Sequence, residues 1–529
     1  MSARTQTRTG GHVLVDSLQA LGATAVFGLP GVHALPVWEA LRESAVRTLG
    51  FRTELNAGFA AAGWAHVTGR PAPLVVSTGP GALNTLTALM EAASSYLPVI
   101  AIASQVPSDL IGRGRGYLHE LPDQRASFAP IVKWTGRADS PEQVPELLVD
   151  AWRRALIPPS GPTYLEIPVD VLKVTTHATD LGDLNGEPPA PAAASAAAIG
   201  EAARLLSTLP NPAIWAGGGV LRSGAWHELV RLAERLDAPV ATTYMGKGSF
   251  PEDHRLAAGS ASDQPPLREL LESAGVLLCV GTELGSETTG DYSLRFRGQL
   301  IHVDADERRI GATYSALGLV GDAGATLREL VRLVEARRPG DGAARARTAR
   351  PQDSGLLRTI RSVLPREAIT AWDMTILGYL AASRYRAFEP RTFLYPLGSG
   401  TLGFAWPAAL GAKAAMSNAP VLAVVGDGGF MYGMSELASA RQHGLAAKLL
   451  LVDDGGYGIL REYQRESFGG FHGVNLAQPD FVSLIGAFGV PARLTSAERI
   501  ELDLAWALEV DGPAAIVLRE RLVYATPTA

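Results

Sequence analysis

Two acidic residues stand where an apolar run gives way to a glycine-rich turn. Asp427 follows Val421–Val425, and Asp454, 27 positions later, follows Lys448–Val452. If the runs are neighbouring parallel strands, their ends lie ~4.8 Å apart and two carboxylates can share one cation. Mg²⁺ prefers oxygen ligands and commonly shares them with phosphate, and glycines let backbone amides approach a diphosphate. An isolated Gly-Asp-Gly is more often a simple turn, but the second acidic turn favours a site for Mg²⁺ and a diphosphate.

The elements that must position these acids follow a repeated pattern. Short aliphatic runs such as Leu74–Val76 and Val99–Ile102 alternate with helical patterns, as in parallel α/β sheets covered on both faces. Gly186–Ala198 and Ala336–Ser354 are typical of linkers in composition. The sequence therefore predicts an α/β protein with three doubly wound parallel-sheet domains, an N-terminal domain at 1–185, a middle domain at 199–335 and a C-terminal domain at 355–529.

Composition excludes several classes of partner. The chain has 529 residues and a formal net charge of −6, so it offers no basic field for nucleic acid or an anionic membrane. The segment Met1–Gly10 is polar and lacks the apolar stretch of a secretory signal, and no apolar run approaches the ~20 residues of a membrane span. We expect a cytoplasmic protein whose single cysteine, Cys279, is buried and inert.

The interval from Gly426 to Asp454 resembles the diphosphate-binding motif of thiamine-diphosphate enzymes, in which Gly-Asp-Gly precedes a pair of asparagines. The resemblance implies that Asp427 and Asp454 bind the metal by their side chains and Gly456 by its carbonyl. Here Asp453-Asp454 replaces the asparagine pair. An aspartate keeps the oxygen donor and adds a negative charge, so metal binding should persist with altered strength and pH dependence.

The same family uses a glutamate, hydrogen-bonded to the cofactor's aminopyrimidine ring, to prepare removal of the C2 proton. The segment Phe51–Gly58, followed by the small-residue run Ala60–Ala65, matches the position of that glutamate. The resemblance therefore implies that Glu54 is catalytic. Taken alone, a glutamate at this place would be a favourable charge at a helix N-terminus.

Further segments resemble the loops that surround the cofactor in this family, namely Phe27–Gly31, Ser77–Asn84, Asp373–Thr375 and Gly400–Gly403. Leu402 matches the bulky apolar residue that wedges the cofactor into a V shape. The predicted cofactor-binding residues are Pro30, Gly31, Ser77, Gly79, Thr375, Gly400, Leu402, Gly426, Gly428, Gly429, Tyr457, Gly458 and Ile459. In the family Glu54 and the metal motif lie on different protomers, which implies a homodimer or homotetramer.

The middle block has a glycine-rich turn, Ala213–Gly219, of the kind seen in dinucleotide sites. Such a turn needs glycine with or without a ligand, so the signal is weak. Acetolactate synthases bind FAD in this domain, but the Arg-Phe-Asp-Asp-Arg stretch of those enzymes is replaced by Gly281–Glu287. We expect thiamine diphosphate and Mg²⁺ as cofactors and do not expect FAD.

Candidate substrate residues come from loops that face the thiazolium in relatives, and they are His33, His119, Glu120 and Gln124. His119-Glu120 stands where acetolactate synthases have Phe-Gln, and a histidine there could protonate the enamine and release an aldehyde. An exposed polar loop is the alternative. Pyruvate decarboxylases have a glutamate at the position of Leu460, and benzoylformate decarboxylase has a histidine at that of Ser77, so neither activity is favoured.

The resemblance is strongest to the acetolactate-synthase and 2-oxo-acid-decarboxylase branch, and within it to 5-guanidino-2-oxopentanoate decarboxylases. Glu120 and Asp123 could pair with a cationic substrate tail, whereas Arg113 and Arg115 favour an anionic one. The predicted function is decarboxylation of a small 2-oxo acid, with joining of the product to a second carbonyl compound left open. An acyl-CoA lyase of the same superfamily and a non-catalytic binding module remain as alternatives.

Overall fold

The computed structural model describes residues 8–176, 181, 184–351 and 355–524. The described chain divides into two compact units, the first within 1–189, 398–417 and 432–446 and the second within 190–397, 418–431 and 447–529. The first unit contains one six-stranded parallel sheet and the second contains two, so the prediction of three parallel α/β sheets is confirmed. None of the described helices has both the length and the apolarity needed to cross a membrane.

The N-terminal sheet belongs to the first unit. The strands of this part of the chain are β1 (Arg8–Thr9), β2 (Ala25–Gly28), β3 (Arg47–Gly50), β4 (Ala72–Val76), β5 (Val99–Gln105), β6 (Thr135–Arg137), β7 (Thr163–Pro168) and β8 (Thr175–Thr176). The helices are α1 (Gly10–Ala20), α2 (Leu35–Arg42), α3 (Glu54–Thr68), α4 (Pro80–Leu83), α5 (Leu86–Ser94), α6 (Val144–Leu156) and α7 (Val169–Lys173). The sheet order is β3-β2-β4-β5-β7-β6, and β1 pairs with β8 in a separate antiparallel ribbon.

The middle sheet belongs to the second unit. Its strands are β9 (Pro212–Ala216), β10 (Val240–Thr242), β11 (Ala257–Gly259), β12 (Val276–Val280), β13 (Gln299–Asp304) and β14 (Leu317–Val320), in the order β11-β10-β9-β12-β13-β14. The helices are α8 (Ala196–Thr208), α9 (Gly218–Arg222), α10 (Trp226–Leu236), α11 (Pro265–Glu272), α12 (Ser286–Thr289), α13 (Ala323–Leu333) and α14 (Gly342–Ala349). Successive residues of β9 enter two different cores, Ile214 one and Trp215 the other, because side chains alternate across a strand.

The C-terminal segment supplies the third sheet. Its strands are β15 (Ile369–Trp372), β16 (Phe393–Leu394), β17 (Val421–Gly426), β18 (Lys448–Asp453), β19 (Ala492–Thr495) and β20 (Ala514–Arg519), in the order β16-β15-β17-β18-β20-β19. The helices are α15 (Gly355–Val363), α16 (Ile376–Arg384), α17 (Ala405–Ala415), α18 (Asp427–Gly433), α19 (Glu436–Gln442), α20 (Gly458–Phe468), α21 (Phe481–Ala487) and α22 (Ile500–Glu509). Of these, α17 and α19 belong to the first unit.

The segment predicted from composition as the second linker contains α14. Buried Ala346 and Ala349 pack against the core on one face of the middle sheet. Asp237 accepts hydrogen bonds from the amides of Gly340 and Gly342, at 2.8 and 3.2 Å, at the start of this helix. Alanines on one face of a helix can therefore dock it without any large apolar residue.

The glycine-rich turn of the middle sheet has a packing explanation. A Cβ at Gly217 would lie 2.3 Å from the carbonyl oxygen of Gly281, and a Cβ at Gly219 would lie 2.5 Å from the Gly281 Cα. The amide of Gly219 donates to that carbonyl at 2.9 Å. The loops after β9 and β12 thus approach each other too closely for side chains, and the glycine pattern needs no nucleotide to account for it.

Candidate active site

Adjacent parallel strands bring the two predicted metal-binding acids to one edge of the C-terminal sheet. In the register of β17 and β18, Gly426 lies beside Val452, so Asp427 and Asp454 both emerge at the carboxyl ends of the strands. Strand pairing was the assumption on which the sequence prediction rested. Ligands of open parallel sheets bind at this edge.

Asp427 is 1% exposed, and both of its carboxylate oxygens accept hydrogen bonds. One oxygen accepts from the amides of Gly455 and Gly456 at 2.9 and 2.8 Å and from the side-chain amide of Gln478 at 2.5 Å. The other accepts from the Gly428 amide at 2.7 Å. Burial, and then the charges of Asp454 and Asp453, raise the pKa of Asp427 to about 6. A cation at this edge would relieve that repulsion.

Asp454 forms a buried ion pair with Arg461. The Arg461 Nη2 lies 2.8 Å from the Asp454 carboxylate and 3.0 Å from its carbonyl oxygen, and the two side chains are 3% and 7% exposed. Burial raises the pKa of Asp454, and Arg461 opposes that effect. A Cβ at Gly458 would lie 2.0 Å from the Asp454 carboxylate. Glycine at 458 therefore makes room for the acid that replaces the usual asparagine.

The donor set suits Mg²⁺ held jointly with a diphosphate. Across the described ranges no group of three or more His, Cys, Asp or Glu side chains is arranged to hold a metal. Two carboxylates and the Gly456 carbonyl would thus leave positions for phosphate and water oxygens, which Mg²⁺ commonly keeps. Gly456 has φ 148°, and a Cβ there would meet the Val474 carbonyl at 2.1 Å, so the backbone course at this ligand depends on glycine.

The other predicted cofactor residues of the second unit line the same turns. A Cβ at Gly428 would lie 2.6 Å from the ring of Tyr457, one at Gly429 would lie 3.0 Å from the Asp373 carboxylate, and one at Gly426 would lie 3.1 Å from the Thr375 hydroxyl. Ile459 is buried in the first turn of α20. The glycines thus leave a backbone-lined cradle with Thr375 and Tyr457 beside it, which fits a diphosphate.

In the first unit, Glu54 is the first residue of α3, which Thr53 caps by accepting from the Asn56 amide at 3.2 Å. The Asn84 side chain donates to Glu54 Oε2 at 2.8 Å. A Cβ at Gly81 would lie 3.2 Å from Glu54 Oε1, so glycine leaves that oxygen accessible. A half-exposed carboxylate with one oxygen fixed and the other open can exchange a proton with a ligand.

Two of the loops predicted to surround the cofactor, Phe27–Gly31 and Ser77–Asn84, meet in the first unit. A Cβ at Gly31, next to Pro30, would lie 2.6 Å from the hydroxyl of Ser77. That hydroxyl is buried and has no hydrogen-bond partner among the described residues. Gly79 has φ 64°, and its amide donates to Gln124 Oε1 at 2.7 Å. Gln124 was predicted to contact substrate, but it is 1% exposed, so its geometry favours positioning the Gly79 loop.

Leu402 is positioned by a buried glutamate that the sequence analysis did not single out. Glu91 accepts from the Ser399 amide at 3.1 Å and from the Thr401 hydroxyl at 3.0 Å, on either side of Gly400. Burial raises the pKa of Glu91. Gly400 has φ 67°, a conformation that favours glycine. The loop that presents half-buried Leu402 is thereby fixed.

The two predicted substrate histidines lie next to each other. The rings of His33 and His119 are 5.3 Å apart, and the Nδ1 atoms of both are buried without a hydrogen-bond partner in the described structure. His119 has φ 69°, and its carbonyl and Cβ pack against Gly79. Burial, followed by the nearby His119 and Lys173, lowers the pKa of His33. The pair can exchange protons with a ligand near Gly79.

Glu120 is used within its own loop. Its carboxylate accepts from the backbone amides of Gly114, Gly116 and Tyr117 at 2.7, 2.8 and 3.1 Å. The predicted contact of Glu120 with substrate stays a prediction, and the geometry favours a role in shaping the loop that carries His119. Arg113 and Arg115 are exposed.

Sequence reasoning missed Arg461, Gln478, Asn84 and Glu91, which hold predicted site residues in place. Asn84 ends the recognised Ser77–Asn84 loop, so its place in that motif was the available signal. The other three lie outside the recognised motifs, and their contacts depend on the tertiary fold.

The chain has parallel α/β sheets, two acids at the ends of neighbouring strands of the C-terminal sheet, and an accessible glutamate at the start of α3. These features together are those of a thiamine-diphosphate enzyme. Residues 8–127, 199–330 and 374–518 match, respectively, the N-terminal TPP binding domain, the central domain and the C-terminal TPP binding domain of thiamine pyrophosphate enzymes. The chain belongs to this family, in the branch that contains 2-oxo-acid decarboxylases and acetolactate synthases.

Individual relatives match over nearly the whole chain. The protein named "Probable 2-ketoarginine decarboxylase" of Pseudomonas aeruginosa is 37% identical, covering 97% of this chain and 94% of the relative. The acetolactate synthase large subunit of Corynebacterium glutamicum is 31% identical, with 98% and 87% covered. Among solved structures, the thiamine-diphosphate-dependent 4-hydroxybenzoylformate decarboxylase of Rhodococcus jostii RHA1 superposes with a TM-score of 0.86 at 27% identity, with 98% and 100% covered.

Proposed function

We propose that this protein decarboxylates a small 2-oxo acid with thiamine diphosphate and Mg²⁺, with capture of the product by a second carbonyl compound as an accessory outcome. The observation that carries the proposal is the buried pair Asp427 and Asp454 at the ends of β17 and β18, in a chain of this family. Two adjacent buried carboxylates with raised pKa values favour a bound divalent cation.

Each residue has a defined task in this proposal. Asp427, Asp454 and the Gly456 carbonyl would hold Mg²⁺, and the amides of the glycine turns would face the diphosphate. Glu54, held by Asn84, would exchange a proton with the aminopyrimidine ring nitrogen. When bound, thiamine diphosphate supplies the electron sink that lets CO₂ leave a 2-oxo acid.

The histidine pair would complete the reaction. His33 and His119 present unpartnered ring nitrogens beside Gly79, and a protonated imidazole can deliver the proton that leads to release of an aldehyde, becoming neutral imidazole as it does so. When that proton is withheld, an acceptor carbonyl can take the product carbon instead. His119 therefore governs the partition between aldehyde and acyloin.

Close packing explains the middle-sheet glycines, so no specific observation favours the acyl-CoA lyase.

The test is a panel of 2-oxo acids incubated with the protein, thiamine diphosphate and Mg²⁺, with CO₂, aldehyde and acyloin measured together. We expect CO₂ from at least one member, and a lower aldehyde-to-acyloin ratio for His119→Phe. Release of no CO₂ across the panel would refute the decarboxylation. An unchanged ratio in His119→Phe would remove the histidine from the proton-transfer step while leaving decarboxylation in place.

A further inference from the structure

A buried hydrogen-bonded network ends at the Gly79 turn and contains a carboxylate that the proposed reaction does not use. Glu166, on β7, is 2% exposed, and Tyr164 on the same strand is fully buried. The Tyr164 ring stacks on Phe128, with ring centroids 3.9 Å apart. Carboxylates are seldom buried in this way, because burial costs them their hydration. A glutamate kept at this place therefore indicates a task for it.

The network runs in one direction from the turn to the glutamate. The Gly79 amide donates to Gln124 Oε1 at 2.7 Å, and Gln124 Nε2 donates to the Tyr164 hydroxyl at 2.8 Å. The Tyr164 hydroxyl in turn donates to Glu166 Oε2 at 3.3 Å. Because amide nitrogens only donate and a carboxylate accepts, Glu166 is the terminal acceptor of this chain of hydrogen bonds.

Two further contacts keep each side chain in its role. Gln124 Nε2 also donates to the Ser104 carbonyl, near the end of β5, at 3.1 Å. Gln105 Nε2 donates to Glu166 Oε2 at 3.2 Å. A carbonyl oxygen can only accept and an amide nitrogen can only donate, so neither Gln124 nor Glu166 can turn around. The network thus ties the Gly79 turn to β5 and β7.

The same network holds the backbone on both sides of His119. A Cβ at Gly79 would lie 2.7 Å from the His119 carbonyl oxygen and 2.9 Å from the His119 Cβ, so the turn packs directly against this residue. Gln124 lies five residues after His119 and anchors the end of its loop. The Nδ1 atom of His119 is buried without a hydrogen-bond partner among the described residues. The backbone anchors, rather than a bond at that nitrogen, therefore position the ring.

We propose that Tyr164 and Glu166 are positioning residues that hold His119, through Gln124 and the Gly79 turn, where it can deliver its proton. This inference rests on the proposed function, in which that proton leads to release of an aldehyde. A displacement of ~1 Å can slow a reaction step by ~10²-fold, so residues that do not touch the substrate can control it. Glu54 acts earlier, on the C2 proton of the cofactor, and its step should not depend on this network.

The test is Tyr164→Phe, which removes the hydroxyl and keeps the ring that stacks on Phe128. In the holoenzyme, at a fixed concentration of acceptor aldehyde, we expect the aldehyde-to-acyloin ratio to fall by about tenfold. Tyr164→Phe should have no further effect in the His119→Phe background, because the group that it positions is gone. Exchange of the C2 proton should keep its wild-type rate. If the wild type forms no acyloin, the rate of aldehyde release takes the place of the ratio.

Thr163→Val is the matched control on the same strand. Thr163 is fully buried, its hydroxyl donates to the Ala151 carbonyl at 3.2 Å, and it faces the opposite side of the sheet from Tyr164. The change also removes one buried hydrogen bond, so it should lower the melting temperature and yet keep the wild-type ratio.

Two changes at Glu166 test the network without altering the tyrosine. Glu166→Gln keeps an oxygen that can accept from the Tyr164 hydroxyl, so it should retain most of the wild-type ratio. Glu166→Leu removes the acceptor and should lower the ratio as Tyr164→Phe does. Equal ratios in these two variants would overturn the role of Glu166, and they decide the matter if Tyr164→Phe fails to fold.

A spectroscopic readout separates this inference from the proposed function. In holoenzyme labelled with ¹³C-histidine, the ring signals of His119 are those lost in His119→Phe. They should shift in Tyr164→Phe and not in Thr163→Val, with or without turnover. A wild-type ratio in Tyr164→Phe, or an undiminished effect in the His119→Phe background, would overturn the positioning role and leave decarboxylation intact. If no 2-oxo acid is decarboxylated, the NMR decides alone, and unshifted His119 signals in Tyr164→Phe overturn the inference.

Discussion

Asp454 and Arg461 form a charge pair that accounts for an unusual residue in the metal turn. An aspartate in place of asparagine adds a buried negative charge, and the Arg461 guanidinium lies 2.8 Å from it. Removing one partner of such a pair leaves the other uncompensated and costs ~3–5 kcal/mol. The effect on stability of replacing Arg461 should therefore depend on whether residue 454 is aspartate or asparagine.

We expect Arg461→Met to lower the free energy of unfolding of the metal-free protein by ~3 kcal/mol, because Asp454 would be buried without a counter-ion. Adding Asp454→Asn should recover most of that loss, and Asp454→Asn alone should still retain thiamine diphosphate and Mg²⁺. Urea unfolding of the four proteins gives the coupling energy. A double variant as unstable as Arg461→Met alone would show that the arginine stabilises the fold independently of Asp454.

The acid pair also predicts a pH dependence for the metal-free protein. The pKa of Asp427 is raised to about 6 in the native state, against ~3.9 in an unfolded chain. Between these values the native state holds a proton that the unfolded state has lost, so unfolding free energy should fall as pH rises from ~4 to ~6, by up to ~3 kcal/mol. Asp427→Asn should flatten the slope in urea titrations. If the unfolding free energy of the wild type instead rose with pH through this window, and that of Asp427→Asn did not, the raised pKa of Asp427 would be contradicted.

Glu54 is predicted to move a proton rather than only to cap α3. Glu54→Gln keeps a hydrogen-bonding side chain but cannot exchange a proton, so bound cofactor should exchange its C2 proton ~10²-fold more slowly. Quenched-flow NMR of hydrogen–deuterium exchange measures that rate. If Glu54 were only a favourable charge at the helix N-terminus, the change would cost less than ~1 kcal/mol in a melting curve and leave exchange normal.

At the scale of elements, α3 is held by two helices that lie far from it in sequence. A Cβ at Gly411 in α17 would lie 1.8 Å from the Ala60 carbonyl, and a Cβ at Gly63 would lie 2.1 Å from the Ala408 carbonyl. Glu436 of α19 accepts from the Arg52 amide and the Asn56 side chain at 3.1 Å, at the start of α3. These contacts fix the helix that carries Glu54.

Gly411→Ala should therefore destabilise the protein, because α3 and α17 cross too closely for a side chain. We expect a loss of ~1–3 kcal/mol, the usual range for overpacking, together with reduced activity. Gly200→Ala is the matched control, since Gly200 lies in α8 with nothing within 4 Å of its Cβ position, and it should gain ~0.5–1 kcal/mol. Chemical denaturation measures both. Similar effects of the two changes would show that α3 and α17 can separate without cost.

The sequence predicted strands and turns well because parallel sheets bury both faces, so runs such as Leu449–Leu451 are uniformly apolar. It could not predict α14, whose buried face consists of alanines, or the use of Glu120 by its own loop, which depends on positive φ at Gly112, Gly114 and Gly116. Arg461 was also missed, because its contact with Asp454 requires the path of the turn before α20. The roles of residues that depend on loop conformation are thus harder to predict from sequence than the roles of residues at strand ends.

At the scale of the whole molecule, the same architectural edge recurs in all three sheets. Turns that contain glycine follow β4, β9 and β17, at Ser77–Gly79, Gly217–Gly219 and Gly426–Gly429. After β9 the Gly281 backbone occupies the space beside the glycines, whereas after β4 Ser77 keeps an unpartnered hydroxyl and after β17 burial and nearby carboxylates raise the pKa of Asp427. At these three turns, polar groups left for a ligand, rather than glycine itself, distinguish the turns after β4 and β17 from the turn after β9.

The family resemblance implies that Glu54 of one protomer serves the metal turn of another, which predicts complementation between two inactive variants. Neither Glu54→Gln nor Asp427→Ala alone should be active. In a hybrid dimer one site combines both defects and the other combines the intact Glu54 of one protomer with the intact Asp427 of the other, so purified hybrids should regain about half of the wild-type activity per dimer. Co-expression with two different tags and tandem purification isolates the hybrid, and light scattering gives its size. A hybrid with no activity would place Glu54 and Asp427 in the same protomer's site and would refute the shared-site prediction.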